Sequence, residues 1–353
     1  MKYPEIHKSF QLNEKSFEEV KNLIVYVTSL SEESAFFLNE WFDGNDFVEV
    51  QTSGSTGAPK IIKLKKEQMS SSAMATGNYF ELKENTTALL CLSSAYIAGK
   101  MMWVRALTLG WHLDIVAVDS CPLEKNDKTY DFTAMVPLQV ANSMKQLFRI
   151  KKIIIGGGVV SEELQEKLQT VPANAFATYG MTETVTHIAV KKLNSFEDKR
   201  TNYYELLPFI EIVIDARGCL IIDAPLLSDD KIITNDLVEL ISETRFQWLG
   251  RYDSIINSGG VKLIPELIEK KIAKVVTEKF FIAAKSDALL GEKVILVVEG
   301  KHPLITGKIH IHSFLEGAAL GPFEIPKEIC FVEEFSMTDT GKIKRSFILE
   351  NLN

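Results

Sequence analysis

The sequence predicts an α/β protein. A large N-terminal α/β domain is expected over residues 1–250, ending in a β-rich subdomain, and a small α+β domain over residues 251–353. Length, composition and pattern carry that expectation. A chain of 353 residues exceeds one typical domain. With 46% hydrophobic and 24% charged residues it has an ordinary globular mixture, with enough apolar side chain for a sizeable core. Short β-rich runs alternate with helical patterns, as in layered α/β structures with largely parallel strands.

The elements follow in order. DFVEVQT reads as a strand, runs into a Gly/Ser loop and is followed by a helical pattern, IIKLKKEQMSSSAMATGNYF. KKIIIGGG is a buried strand ending in glycines, with the helical VVSEELQEKLQ behind it. From about Tyr204 strands lie close together in FIEIVID, GCLIIDA and LVELIS. The domain boundary is expected near Leu249–Ser254. Beyond it, Pro265 suits a helix start, and Leu267, Ile268, Ile272, Val275 and Val276 supply the apolar stripe. KFFIAAK and KVILVVEG read as strands, followed by a helix near His310–Glu316, a strand EICFVEE and a polar loop TDTGKIKR.

Composition narrows the function classes. Lys and Arg total 39 against 47 Asp and Glu, a net charge of −8. Such a chain is a poor candidate for broad binding to nucleic acid or an anionic membrane, though a local pocket can still take a small anion. The cysteines (Cys91, Cys121, Cys219, Cys330) form no C-x-x-C pair and read as reduced and mostly buried, as in the cytosol. The N-terminus lacks a signal-peptide core, and no apolar run approaches the ~18 residues of a membrane span. A soluble, cytoplasmic protein is expected.

The strongest local signal is Thr52-Ser53-Gly54-Ser55-Thr56-Gly57-Ala58-Pro59-Lys60. Its glycines allow close backbone approach to an anion, and its hydroxyls, lysine and N–H groups can contact phosphate oxygens. Its spacing is not that of a Walker loop; the bland alternative, read alone, is a flexible surface turn. Gly156-Gly157-Gly158 follows a strand, but Ser161 stands where a dinucleotide fingerprint needs its last glycine, and the ribose-binding acid is missing from the next strand. His310 and His312 lack the companions of a zinc site, and no G-x-S-x-G elbow is present.

The nine-residue loop resembles the phosphate loop of adenylate-forming enzymes: acyl-CoA synthetases, peptide-synthetase adenylation domains and luciferases. Three further motifs match in the family's order: Tyr179-Gly180-Met181-Thr182-Glu183-Thr184, Gly250-Arg251-Tyr252-Asp253 continuing to Ser258-Gly259-Gly260, and Gly341-Lys342. The resemblance runs from about Val48 to Arg345. It implies a two-step reaction with ATP, Mg²⁺ and CoA. The acid attacks the ATP α-phosphate, giving acyl-AMP and pyrophosphate, and CoA then displaces AMP. Negative charge concentrated at phosphorus calls for cations and donors.

By this resemblance Thr52, Ser53, Gly54, Ser55, Thr56, Gly57 and Lys60 hold phosphate, Glu183 helps hold Mg²⁺, and Thr182 donates to the α-phosphate. Tyr179 covers the adenine face, and Gly180 belongs to the same nucleotide-binding motif. Gly156, Gly157 and Gly158 line the adenine and acyl pocket. Asp236 accepts from the ribose hydroxyls, with Asn235 where the family has glycine; asparagine tolerates the positive φ such a turn needs. Arg251 contacts ribose or phosphate, Asp253 is the hinge of a mobile C-terminal lid, and Gly259 and Gly260 pass the CoA pantetheine. Lys342 neutralises charge during adenylation. The usual proline before that Gly-Lys is absent.

For the acid, the resemblance points to the segment after Leu92. Tyr96 stands where a gating histidine is common, and Met101, Met102 and Trp103 are either pocket wall or core. Length, the W-V-R-A-L segment and YGMTETVTH look most similar to the short o-succinylbenzoate–CoA ligases of menaquinone synthesis. That substrate has two carboxylates, and Arg105, Thr186 or His187 would bind the one not activated. A free-standing enzyme loading a carrier protein and a non-catalytic nucleotide-binding homologue are the competing readings. Family habit would make the protein a homodimer. Relatives usually carry a longer segment before the phosphate loop, so Met1–Phe47 is expected to be only a remnant of the N-terminal subdomain.

Overall fold

A computed structural model describes residues 4–51, 61–194, 201–302, 305–338 and 343–352. The chain forms two compact units: residues 1–212, 222–232 and 241–245 make the first, and residues 213–221, 233–240 and 246–353 the second.

The first unit is built on a sheet whose strands lie in the order Tyr204–Leu206, His187–Lys192, Asn174–Gly180, Ile150–Ile155, Tyr130–Met135, Thr87–Leu90, His112–Ile115, Gln11–Leu12 and Lys15–Ser16. The strands from Asn174–Gly180 across to Gln11–Leu12 are parallel, and the outer pairs are antiparallel. Helices Ile97–Leu109, Pro137–Asn142 and Glu162–Leu168 make the crossovers. From Thr87–Leu90 the chain steps outward to His112–Ile115, then returns to Tyr130–Met135 on the other side and continues away. That reversal is a topological switch point, and ligands of open parallel sheets bind outside the carboxyl ends of the strands at such a point.

The helix Ile97–Leu109 shows what an apolar run can hide. Every residue from Gly99 to Leu107 is buried, so Met101, Met102 and Trp103 are core. Lys100 is tolerated there because Glu40 lies 3.2 Å from its ammonium. Gly99 is required by the chain entering the helix, because a Cβ would stand 2.2 Å from the Ser93 carbonyl oxygen.

One expectation changes. Ile61–Lys65 is a strand paired antiparallel with Phe47–Gln51, and the helix begins only at Lys66. The five residues bury Leu64 and expose Ile61, Lys63 and Lys65, a period of two that the 20-residue helical reading averaged away. Residues 4–47 carry regular structure of their own. Helices Val20–Thr28 and Glu32–Phe42 place Leu23, Val27, Phe37, Leu38 and Trp41 in full burial, and Gln11–Leu12 extends the parallel sheet.

To the second unit belong residues 213–221, 233–240 and 246–251, which take in parts of the strands Glu211–Ile214, Cys219–Asp223, Ile232–Ser242 and Arg245–Arg251. Phe280–Asp287, Gly291–Glu299 and Glu328–Val332 centre a second sheet. Period-two alternation gives it two apolar faces. Ile282, Val294, Leu296 and Val298 meet Ile268 and Ile272 of helix Pro265–Ile272; Phe281, Ala283, Ile295 and Val297 meet Phe335 and Ile348. Pro265 occupies the first turn of its helix as expected, but that helix stops at Ile272, short of Val275 and Val276.

This sheet carries an acid-sensitive lock. Burial opposes ionisation of Glu328, but hydrogen bonds from Lys285 and Lys293 outweigh it and bring the carboxyl down to about 2. A carboxyl depressed in the folded state stabilises above its unfolded value, near 4.5, and that contribution disappears as pH falls toward 2. Urea midpoints between pH 5 and 2 should therefore fall more steeply in the wild type than in Glu328→Gln.

Candidate active site

The glycine segment and the Tyr179–Thr184 motif converge at the carboxyl ends of adjacent parallel strands. Ile155 pairs with Ala177, which places Gly156 against Thr178; a Cβ on Gly156 would meet Thr178 Oγ1 at 2.7 Å. Gly157 has φ +78°, a conformation that suits glycine. Across the switch point, buried Gln139 accepts from Val136 N–H (3.2 Å) and donates to the carbonyls of Cys91 and Asp119 (both 2.9 Å). It clamps the mouth where the two strand series part. No motif marked Gln139; its only local signal is its place two residues after the helix-starting Pro137.

Thr182 and Glu183 sit on a locked turn. Thr184 Oγ1 accepts from Met181 N–H (3.0 Å) and lies 2.9 and 2.7 Å from the carbonyl oxygens of Met181 and Thr186. Val185 then takes φ 64° and ψ −59°, with Thr186 N–H donating to Thr184 O at 2.7 Å. This is the rare positive-φ γ-turn, strained for a β-branched residue by about 1–3 kcal/mol. Strain of this size is held only where neighbours over-determine it. Glu183 projects into solvent and makes no hydrogen bond or ion pair with another described residue. Tyr179 is half-buried, with Tyr204 at 5.7 Å between ring centroids.

Gly180 has a steric reason of its own. A Cβ there would lie 2.3 Å from Thr186 O and 2.5 Å from His187 Cα, both backbone atoms. Gly180→Ala is expected to destabilise the protein by about 1–3 kcal/mol, the usual cost of overpacking. Thermal and urea unfolding check it, and an unchanged midpoint would contradict the close approach.

Directly behind the turn lies Arg105, 1% exposed. Its Nε donates to Thr76 Oγ1 (3.3 Å), Nη1 to Met102 Sδ (3.7 Å) and Nη2 to Thr186 Oγ1 (3.5 Å). All three acceptors are neutral, and no carboxylate pairs with it among the described residues. Burial lowers Arg105 to about 9, so it stays cationic at neutral pH. Thr186 Oγ1 lies 3.3 Å from His187 Nδ1. Burial, then the Arg105 charge, holds His187 well below the usual imidazole range, and the ring is neutral. Tyr96 precedes the helix bearing Arg105 and is 40% exposed.

Other expected site residues gather in the second unit. Asp236 is buried, accepts from Trp248 Nε1 at 3.2 Å and has Arg251 Nη1 at 3.6 Å. Arg251 also grips Asp253 through two bonds of 3.1 and 2.8 Å, which hold that carboxyl below its ordinary value despite partial burial. Thr234, Asn235 and Asp236 form no turn. They lie inside the strand Ile232–Ser242, and Asn235 has no positive φ. Its side chain instead accepts from Arg217 at 2.9 Å, a tertiary partner that a local turn reading could not foresee. Gly259 (φ +59°) and Gly260 (φ +82°) form the two-residue turn between Ile256–Ser258 and Val261–Leu263, the doubly positive geometry of tight hairpins.

Thr52–Lys60 and Gly341–Lys342 lie outside the described residues. Their described flanks are closed by the pairs Gln51–Ile61 and Met337–Ile343.

An open parallel sheet with a glycine segment and a hydroxyl–carboxylate turn at the carboxyl ends of adjacent strands is the architecture of AMP-forming ligases. The chain belongs to the AMP-binding enzyme family, whose profile matches residues 31–218. A solved protein from Dyadobacter fermentans DSM 18053, described as acyl-CoA synthetase (AMP-forming)/AMP-acid ligase II-like, is 36% identical. That match covers 91% of this chain and 94% of that one, with a TM-score of 0.59. The Lactococcus lactis subsp. lactis (strain IL1403) protein named 2-succinylbenzoate–CoA ligase is 25% identical over 318 residues, 84% of this chain and 69% of the relative. The Bacillus subtilis o-succinylbenzoate CoA synthetase, solved with its acyl-adenylate intermediate, shares the fold at a TM-score of 0.73 and 18% identity, over 85% of this chain and 68% of that one. No described helix is long and apolar enough to cross a membrane.

Proposed function

We propose that the protein activates an aryl dicarboxylic acid, o-succinylbenzoate, as its acyl adenylate and transfers the acyl group to CoA. The observation that carries the choice of acid is Arg105. A buried cation without a carboxylate partner is costly, and an anionic substrate group would relieve that cost. Thr186 Oγ1, which accepts from Arg105 and lies beside His187 Nδ1, is an uncharged neighbour of that cation. The names of the relatives from Lactococcus lactis and Bacillus subtilis support the same acid.

In the first half-reaction one carboxylate of the acid attacks the ATP α-phosphorus and pyrophosphate leaves. Residues 52–60 would hold the phosphates and Thr182 would donate to the α-phosphate. Glu183 fits Mg²⁺: it is a free, hard carboxylate, and the described residues contain no multi-ligand cage, which suits an ion held largely by water and phosphate. Bound there, the ion would supply charge neutralisation at the phosphates. Tyr179 and Gly156–Gly158 would line the adenine, and Asp236 with Arg251 would take the ribose. Lys342 would serve adenylation from the lid, residues 251–353. Rotation at Asp253 would then bring Gly259 and Gly260 to the pantetheine, and the CoA thiol would expel AMP. We place the enzyme in the cytoplasm as a homodimer, on family habit and composition.

Incubation with Mg-ATP, a panel of acids and either CoA or a carrier protein, read by product mass, tests this. o-Succinylbenzoyl-CoA with AMP is the expected product. An acyl group found only on the carrier protein, a different preferred acid, or no acid-dependent AMP would overturn the corresponding part.

A further inference from the structure

We infer that Arg217, which no motif marks, is a positioning residue for the nucleotide, because it ties together the two segments that carry Asp236 and Arg251. The inference rests on the reading of Asp236 and Arg251 as the ribose-binding pair, and deepens it. Residues 215–219, 234–236 and 248–253 all belong to the second unit. Arg217 stands on the tight turn at 215–219, closed by Asp215 N–H to Cys219 O at 2.9 Å, with Gly218 at φ +82°. Asp215 sets the direction of the side chain. One of its oxygens accepts from the N–H groups of Arg217 (2.8 Å) and Cys219 (2.9 Å), and the other from Arg217 Nε (2.8 Å).

The guanidinium then reaches the two residues before Asp236. Nη1 donates to Asn235 Oδ1 (2.9 Å) and Nη2 to the Thr234 carbonyl (3.1 Å). It also lies over the ring of Tyr252, 5.2 Å from the centroid, and Tyr252 stands between Arg251 and Asp253 in the chain. An exposed ion pair alone contributes little. A planar fork that meets Asp215, Asn235 and the Thr234 carbonyl through separate nitrogens, while stacked on an aromatic ring, fixes geometry as well. Asn235, where the family has glycine, supplies one of those acceptors, so the arrangement belongs to this chain. Asp236 depends on the same residues. Its N–H donates to Thr234 Oγ1 (3.0 Å), which donates in turn to Leu220 O (2.8 Å), and its carboxylate accepts from Trp248 and has Arg251 beside it. Losing Arg217 would release Thr234, Asn235 and Tyr252 together, loosening Asp236 and Arg251 while leaving both charges in place.

Calorimetric titration of the full chain with Mg-ATP and with Mg-2′,3′-dideoxy-ATP, without acid or CoA, tests this. The wild type should bind ATP about 10- to 100-fold more tightly, as hydroxyls donating to a carboxylate predict. Arg217→Ala should weaken ATP about five- to tenfold and leave dideoxy-ATP unchanged, because that nucleotide has no ribose hydroxyl for Asp236 to hold. Arg217→Lys keeps the charge and the stem but not the fork, so it should show the same selective loss. It also keeps the test decisive if the alanine variant does not fold. Both nucleotides carry the same phosphates, so a long-range effect of charge, or a general loss of structure, would weaken the two alike. A wild type that binds neither nucleotide, or both equally, would overturn the ribose reading and the inference with it. With a discriminating wild type, a folded Arg217→Ala that weakens both nucleotides equally or neither, or an Arg217→Lys with wild-type affinity for ATP, would overturn the inference alone.

Discussion

Replacing Arg105 by methionine is expected to raise the KM for o-succinylbenzoate by about 10- to 100-fold, with kcat little changed and stability preserved or increased. The fold-change is what a charge-assisted hydrogen bond of about 1.5–3 kcal/mol contributes to uniform binding. The stability claim has a separate cause. Arg105 is buried beside Thr76, Met102 and Thr186 without a counter-charge among the described residues, and replacing an uncompensated buried charge by an apolar chain of similar length removes a desolvation penalty. Arg105→Lys should also raise KM, because an ammonium lacks the planar fork that matches a carboxylate. Steady-state kinetics with thermal unfolding separates the roles. An unchanged KM together with a lower melting temperature would make Arg105 structural.

Lys342→Ala should abolish acid-dependent ATP–pyrophosphate exchange, a loss on the order of 10²–10³ for a charge that acts on the transition state. Thioester formation from supplied acyl-AMP should persist, because the lysine would have swung away for that step. The described residues on either side are clipped together by the Met337–Ile343 bridge and the Lys344 N–H to Ser336 O bond of 2.9 Å. Deleting the side chain should therefore leave the surrounding backbone in place. Equal loss of both half-reactions would contradict domain alternation.

The α/β class, the parallel strands with their crossovers and the convergence of Gly156–Gly158 with Tyr179–Glu183 were legible because each rests on residues close in sequence. A buried strand followed by glycines reads locally, and parallel neighbours bring their carboxyl ends together. Other features depend on distant partners. Ile61–Lys65 is a strand because Phe47–Gln51 pairs with it, and Asn235 is held in a strand with Arg217. Gly180 is required because the backbone at Thr186 and His187 returns to within reach of a Cβ. Thr184, although inside a recognised motif, showed its role as the lock of that turn only through its three backbone contacts.

By itself, the sequence determined the adenylate-forming class, because phosphate chemistry is carried by contiguous motifs whose residue types and spacing survive without coordinates. Only the tertiary structure decided that Arg105 is a buried cation with no carboxylate partner among the described residues. Burial and pairing are properties of segments far apart in the chain, brought together by packing, and no local pattern encodes them.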